Sequence, residues 1–184
     1  RRVLFRSSFY SSESPEAYKI AKEFRRRGSK VVMGGAHVSF FPDEALAFCD
    51  SVVIGEVEGV WKQIIHDYEN NCMQPKYWGG DKKPYDEEVY QGLLSQPPEV
   101  IRDCLELSRG CKFHCHFCSV PALQPKLCFR PISQAVELLK KVKTRYKVVS
   151  FFDNNIYADP CYARQLFQAI KPLKIHWVTQ SSID

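Results

Sequence analysis

A rhythm of short apolar strand followed by amphipathic helix runs twice through this chain and fails once in between, which restricts it to parallel sheets with helices packed on them. The first run predicts a helix from Ser14 to Gly28. Ser14 can serve as N-cap, Pro15 sits in the first turn, and Ala17, Ile20, Ala21 and Phe24 share a stripe before Gly28 ends it. A strand at Lys30 to Met33 leads into Gly34-Gly35, a second short helix begins near Pro42, and Ser51 to Ile54 forms another strand ending at Gly55. A helix from about Val57 to Asn70 then places Val60, Trp61, Ile64, Ile65 and Tyr68 on one face. Between about Pro75 and Asp103 the periodicity fails, and Pro75, Gly79, Gly80, Pro84, Pro97 and Pro98 punctuate a stretch read as an interdomain connection. The second run predicts a strand at Leu105 to Ser108, a cysteine-rich loop, and a helix from about Ser133 to Arg145. A strand at Val148 to Phe152, a helix at Pro160 to Lys171 capped by Asp159, and a strand at Lys174 to Val178 follow. The expected organisation is an α/β domain over residues 1–75, a linker over 76–103, and a second α/β domain over 104–184, with separate sheets.

Within 184 residues, 45% of them hydrophobic, there is material for one ordinary core or two small ones, and no apolar run long enough to cross a membrane. Eight cysteines raise the possibility of a disulfide scaffold, but no signal-peptide pattern opens the chain, and clustered thiols point to a reducing cytoplasm. The net charge of +5 has its densest run at Arg25-Arg26-Arg27, on the last turn of a predicted helix, where cations suit the helix dipole. That run reads as a solvated helix end, and no nucleic-acid partner is expected.

The chemistry concentrates in Ser108-Arg109-Gly110-Cys111-Lys112-Phe113-His114-Cys115-His116-Phe117-Cys118. A [4Fe–4S] cluster normally takes four thiolates. Cys111, Cys115 and Cys118 supply three, which leaves one iron open to a substrate or cofactor. Zinc held by the three thiols with His114 or His116 is the competing reading, weakened by the lack of a second separated ligand pair. All three predicted strands of the second run end in polar residues: the cysteines, then Asp153-Asn154-Asn155, then Gln180-Ser181-Ser182. In a parallel α/β barrel, functional groups gather at the carboxyl ends of the strands. For Asp153, Asn154 and Asn155 an ordinary turn is the alternative.

The spacing C-x3-C-x2-C, with Phe117 before the last cysteine, resembles the signature of the radical S-adenosylmethionine (SAM) superfamily. Gly34-Gly35-Ala36-His37, Pro42-Asp43-Glu44-Ala45-Leu46 and Val52-Val53-Ile54-Gly55-Glu56 resemble the later part of a cobalamin-binding domain. Phe129-Arg130-Pro131, Phe152-Asp153-Asn154-Asn155-Ile156 and Trp177 to Asp184 resemble the opening of a radical SAM barrel. The resemblance implies a partial Rossmann-like sheet followed by the first three βα units of a partial TIM-like barrel. It also implies a [4Fe–4S] cluster on Cys111, Cys115 and Cys118 that cleaves SAM reductively to a 5′-deoxyadenosyl radical. SAM contacts would come from Phe117, Asp153, Asn154, Asn155 and Ser181 or Ser182, and a cobalamin site from Gly34, Gly35 and His37. No Asp-x-His-x-x-Gly motif is present to bind cobalt from below.

The activity so implied is cobalamin-dependent methylation or an oxidative rearrangement of a small molecule, with flavodoxin or ferredoxin as reductant. Two other classes compete. An electron-transfer module would recruit Cys128 as fourth ligand, and a corrinoid-binding module would hold no iron. Radical SAM methylthiotransferases are near relatives, but Cys49 and Cys72 do not reproduce their additional cluster cysteines. Three strands do not close a barrel, so the chain is expected to be a fragment that binds a cluster without turning over SAM efficiently.

Overall fold

A computed structural model describes residues 3–79, 85, 87–96, 104–143 and 148–182 and divides the chain into two units, Arg1–Lys82 and Lys83–Asp184. The first is built on β1 (Leu4–Ser8), α1 (Ser14–Arg26), β2 (Lys30–Gly34), α2 (Ala36–Phe40), α3 (Pro42–Leu46), β3 (Ser51–Ile54), α4 (Trp61–Glu69) and β4 (Lys76–Trp78). The strands pair in the order β1-β2-β3-β4, all parallel. Because strand side chains alternate, β2 feeds two cores. Val31 and Met33 meet Ala17, Tyr18, Ala21, Val38 and Ala45 of α1, α2 and α3, while Val32 joins Val53, Tyr77 and Ile64 of α4. Helices therefore cover both faces of the sheet. Val31, Met33, Val38, Val52 and Ile64 are wholly buried, each contributing about 1.5–3 kcal/mol.

Two of the expected boundaries shift. Ser14 is the first residue of α1 rather than its cap, because a turn of 3-10 helix at Ser11–Glu13 precedes it and the Ser14 hydroxyl donates to the Ser11 carbonyl. The stretch read as a featureless linker supplies β4, paired Val52 to Lys76 through Ile54 to Trp78. A three-residue strand with only Tyr77 buried leaves no periodic trace. Strand β1 was likewise not legible, since its residues are half-buried or exposed without a clean alternation. The basic run at the end of α1 is paired internally: Arg26 and Arg27 both donate to Glu23, holding its carboxyl down at about 2.

The second unit comprises α5 (Glu87–Ser95), β5 (Cys104–Leu105), β6 (Ser108–Arg109), α6 (Val120–Leu123), β7 (Cys128–Phe129), α7 (Ile132–Lys143), β8 (Val148–Phe151), α8 (Pro160–Ile170) and β9 (His176–Val178). Strands β5, β8 and β9 form a parallel sheet in that order, with β8 central. Val149 and Phe151 turn to a core completed by Leu138, Leu139 and Val142 of α7 and Leu166 and Ile170 of α8. Asp159 caps α8 as expected, its carboxylate accepting from the Cys161 and Tyr162 amides at 2.8 and 3.2 Å. Helix α5 falls in the supposed linker and sends the buried Tyr90 into this core, with its hydroxyl donating to Glu137 of α7. Strand β9 begins later than expected because Lys174 adopts a left-handed conformation, φ +50°.

The single strand expected at Leu105 to Ser108 is two strands. After β5 the chain turns away from β8, and β6 pairs antiparallel with β7, Ser108 opposite Phe129 and Arg109 opposite Cys128. The cause is a contact from far along the chain: the Leu107 and Ser108 amides are captured by the Asp153 carboxylate and so are unavailable to a parallel ladder.

Candidate functional site

The β6–β7 pair is the neck of the cysteine loop. At its base, Gly110 has φ +89°, and a Cβ there would lie 2.5 Å from the Lys126 carbonyl oxygen and 3.1 Å from the Leu127 Cα. Only glycine tolerates that backbone and that approach. The Gly110 amide donates to Gln124 Oε1 at 3.2 Å, and the Arg109 guanidinium grips Glu106 at 2.6–3.1 Å. Farther along, the Cys118 amide donates to the Cys115 carbonyl at 3.0 Å, so the last two cysteines bracket one turn. Cys111 and Cys118 are half-buried, Cys115 is exposed, and all three are free thiols. Phe117 is 94% exposed and joins none of the cores formed by the described residues.

The donor set fits an iron–sulfur group. Thiolates are the ligands such clusters take, and all three sulfurs belong to half-buried or exposed residues that incoming metal can reach. Among the described residues, however, no three His, Cys, Asp or Glu side chains are gathered as a ligand group. This applies equally to the Cys3His zinc alternative. Cys128 stands opposite Arg109 at the neck rather than within the loop.

At the carboxyl end of β8, the three consecutive polar residues turn three ways. Asp153 is 2% exposed; its Oδ1 accepts from the Leu107 amide at 3.2 Å, from the Ser108 hydroxyl at 2.6 Å and from the Ser108 amide. Its Oδ2 is buried with no partner among the described residues. Burial pushes the carboxyl up to about 6, against the lowering effect of the Ser108 and Leu107 donors. Asn154 is exposed and donates to Gln124 Oε1 at 3.0 Å. Asn155 is buried: its Nδ2 donates to the Ser182 hydroxyl at 2.9 Å, and its Oδ1 accepts from the Ser182 and Tyr157 amides at 3.3 and 3.1 Å. The loops after β8 and β9 are thereby joined, with the Ile156 amide donating to the Gln180 carbonyl at 3.1 Å. Ser181 is exposed, and its hydroxyl donates to the neighbouring Ser182 carbonyl at 3.0 Å.

Arg130, which follows β7, is 6% exposed. Its Nε donates to the Glu106 carbonyl at 3.0 Å, and its guanidinium lies over the Tyr85 ring at 4.5 Å. Tyr162 of α8 places its hydroxyl 2.8 Å from the Arg130 carbonyl and 3.2 Å from that of Leu107. Sequence reasoning singled out neither Ser108 nor Gln124 as functional. Ser108 directly precedes the Arg-Gly-Cys run, which is a usable signal; Gln124 carries none.

In the first unit, the carboxyl ends of β1, β2 and β3 frame a cleft of about 400 Å³ lined in part by Arg6, Ser8, Gly34, Gly35, Glu56 and Trp61. Clefts at this end of parallel strands are where open α/β sheets bind ligands. Gly35 has φ +93°, and a Cβ there would meet Ser8 Oγ at 2.5 Å and the Phe9 amide nitrogen at 2.9 Å. The close approach that demands glycine is thus made by the chain's own β1 end. His37 is not in the cleft lining but in the core. Its Nε2 is 3.0 Å from the Tyr18 hydroxyl and its Nδ1 is 2.9 Å from the Ser11 hydroxyl. Both ring nitrogens are engaged by hydroxyls.

No protein-family model matches the chain. It is 36% identical over 117 residues to the bacteriochlorophyllide d C-8(2)-methyltransferase of Chlorobaculum tepidum, covering 59% of this chain and 26% of that protein. To the bacteriochlorophyllide d C-12(1)-methyltransferase of the same organism it is 28% identical over 182 residues, covering 91% and 39%. To the ribosomal protein uS12 methylthiotransferase of Gloeothece citriformis it is 23% identical over 194 residues, covering 93% and 41%. The chain thus spans less than half the length of these relatives. It is similar to enzymes that transfer methyl or methylthio groups. Among the described residues, no helix is long and apolar enough to cross a membrane.

Proposed function

We propose that this chain is the cluster-binding part of a radical SAM enzyme of the methyl-transferring kind. The observation that carries the reading is the loop Cys111-x3-Cys115-x2-Cys118, held by the β6–β7 neck beside the carboxyl ends of β5 and β8. The similarity to methyl- and methylthiotransferases supports it. Cys111, Cys115 and Cys118 would hold a [4Fe–4S] cluster, and the cluster, when bound, supplies the electron for reductive cleavage of SAM.

The chain's own groups do the positioning. Gly110 lets the loop turn tightly over the 126–127 backbone, Arg109 is fixed by Glu106, and the Asn155–Ser182 pair locks together the two loops that flank β8 and β9. Phe117, exposed on the loop, offers an aromatic face to an adenine. Asn154 and Ser181 present polar side chains at the strand ends, suited to the amino acid and ribose ends of SAM. The first-unit cleft, at about 400 Å³, suits one arm of a corrinoid rather than the whole cofactor, approached over Gly34 and Gly35. His37, outside that cleft, serves as a buried hydrogen-bonding post between Tyr18 and Ser11. The acceptor is a small molecule and the electron comes from a flavodoxin- or ferredoxin-like donor.

The test is anaerobic reconstitution with iron and sulfide, then incubation with SAM and dithionite and chromatography for 5′-deoxyadenosine, on this chain and on a longer form. Cleavage that depends on Cys111, Cys115 and Cys118 supports the reading. Tight SAM-independent retention of stoichiometric zinc, with no cleavage in either form, refutes it.

A further inference from the structure

We infer that Asp153 is a positioning residue for the cysteine loop and not a contact to SAM. This rests on the reading above. The turn after β8 is where the resemblance assigns contacts to the methionine end of SAM, yet Asp153 is turned inward to 2% exposure, with Oδ1 gathering three donors from Leu107 and Ser108. Those donors belong to the segment that feeds Cys111. Ser108 is itself wholly buried and is the last residue before Arg109-Gly110-Cys111.

The carboxylate does two things at once. It withdraws the Leu107 and Ser108 amides from the parallel ladder, so that the chain leaves β8 and swings into the antiparallel β6–β7 neck. It also fixes the direction in which the neck emerges, because three donors converging on one oxygen define an orientation that one bond does not. Asn154 adds a second strap: its Nδ2 and the Gly110 amide both donate to Gln124 Oε1, at 3.0 and 3.2 Å. Adjacent residues of one turn thus hold the cysteine loop at Ser108 and at Gly110, the two positions flanking Arg109. A displacement of the β8 turn moves the thiolates with it. Asp153 acts through Ser108, and substitution there alters the cluster's setting even when SAM is absent.

The test compares Asp153→Asn and Asp153→Leu in the 184-residue chain, with two readouts. Amide hydrogen exchange at Leu107 and Ser108, measured without iron, reports the latch. The electron paramagnetic resonance signal of the reduced, reconstituted protein without SAM reports the thiolates. Asp153→Leu is expected to speed exchange at both amides about tenfold or more and to broaden or shift the SAM-free signal. Asp153→Asn, which keeps an acceptor oxygen, is expected to restore both to near wild type. Normal exchange and a normal SAM-free signal in Asp153→Leu, with only the SAM-induced change lost, would overturn the inference and make Asp153 a SAM contact. Should Asp153→Leu not fold, Ser108→Ala removes one of the three donors; it is expected to speed exchange at Leu107 and Ser108 several-fold, and unchanged exchange overturns the latch. Failure of the wild-type chain to take iron overturns the reading on which the inference rests, and the exchange rates then decide the latch by themselves.

Discussion

Titration of Asp153 is expected to make the second unit more stable in mild acid, opposite to the usual behaviour of a paired carboxylate. Burial holds this carboxyl at about 6 against an ordinary 3.8, so between those values the folded chain binds a proton that the unfolded chain does not. The ionised group therefore opposes folding above pH 6, and that cost is relieved as pH falls toward 3.8. The full difference corresponds to about 3 kcal/mol, of which about 1.4 kcal/mol is recovered between pH 8 and pH 5. Glu106 adds to the upward push and the Ser108 and Leu107 donors oppose it. Other groups titrate in the same interval, so the quantity to measure is the difference between wild type and Asp153→Asn. Urea unfolding of both, followed through far-ultraviolet circular dichroism at pH 8, 7, 6 and 5, isolates it. Wild type is expected to gain about 1.4 kcal/mol relative to Asp153→Asn on going from pH 8 to pH 5. A wild type that shows no gain relative to Asp153→Asn, or that loses stability relative to it, on going from pH 8 to pH 5 refutes the assignment of a raised carboxyl to this buried site. Glu23, whose carboxyl is held at about 2 against an ordinary 4.5, acts in the opposite sense, its stabilisation being lost as pH falls from 4.5 toward 2, and it is common to both proteins.

Gly110→Ala places a Cβ 2.5 Å from a backbone carbonyl at φ +89°; it is expected to cost at least about 1–2 kcal/mol and to lower iron content on reconstitution, measured by colorimetric iron analysis. Leu138→Ala, at a wholly buried site in the α7–β8 core, is expected to destabilise by about 2–5 kcal/mol in urea unfolding. Cys128→Ala is expected to leave the cluster absorbance unchanged, whereas loss of absorbance would favour the electron-transfer alternative. His37→Ala removes the partner of the Tyr18 and Ser11 hydroxyls and is expected to cost about 1–3 kcal/mol while leaving the spectrum of any bound cob(II)alamin unaltered.

The long, strongly patterned elements were readable. The stripe on α1, the apolar runs of β2, β3 and β8, and the Asp159 cap of α8 each carry a local signal that packing did not override. What escaped was set by partners distant in sequence. Strand β4 buries only Tyr77, and the break between β5 and β6 is imposed by Asp153, 45 residues away from Ser108. The three cysteines stand out from spacing alone, and the residues that hold their loop do not. Gln124 looks like any surface amide until Gly110 and Asn154 are seen to meet on its oxygen. That His37 is buried was equally hidden, because its two hydroxyl partners lie 19 and 26 residues away.

The most direct measurement is Mössbauer spectroscopy of the chain reconstituted anaerobically with enriched iron, on wild type and on Cys111→Ala, Cys115→Ala and Cys118→Ala, with metal content determined in parallel. The expected result is one [4Fe–4S] cluster per chain, about four irons, with one iron site perturbed when SAM is added and the cluster lost in each cysteine variant. Stoichiometric zinc in tetrahedral Cys3His coordination, or a cluster that survives loss of any one of the three cysteines, would contradict it.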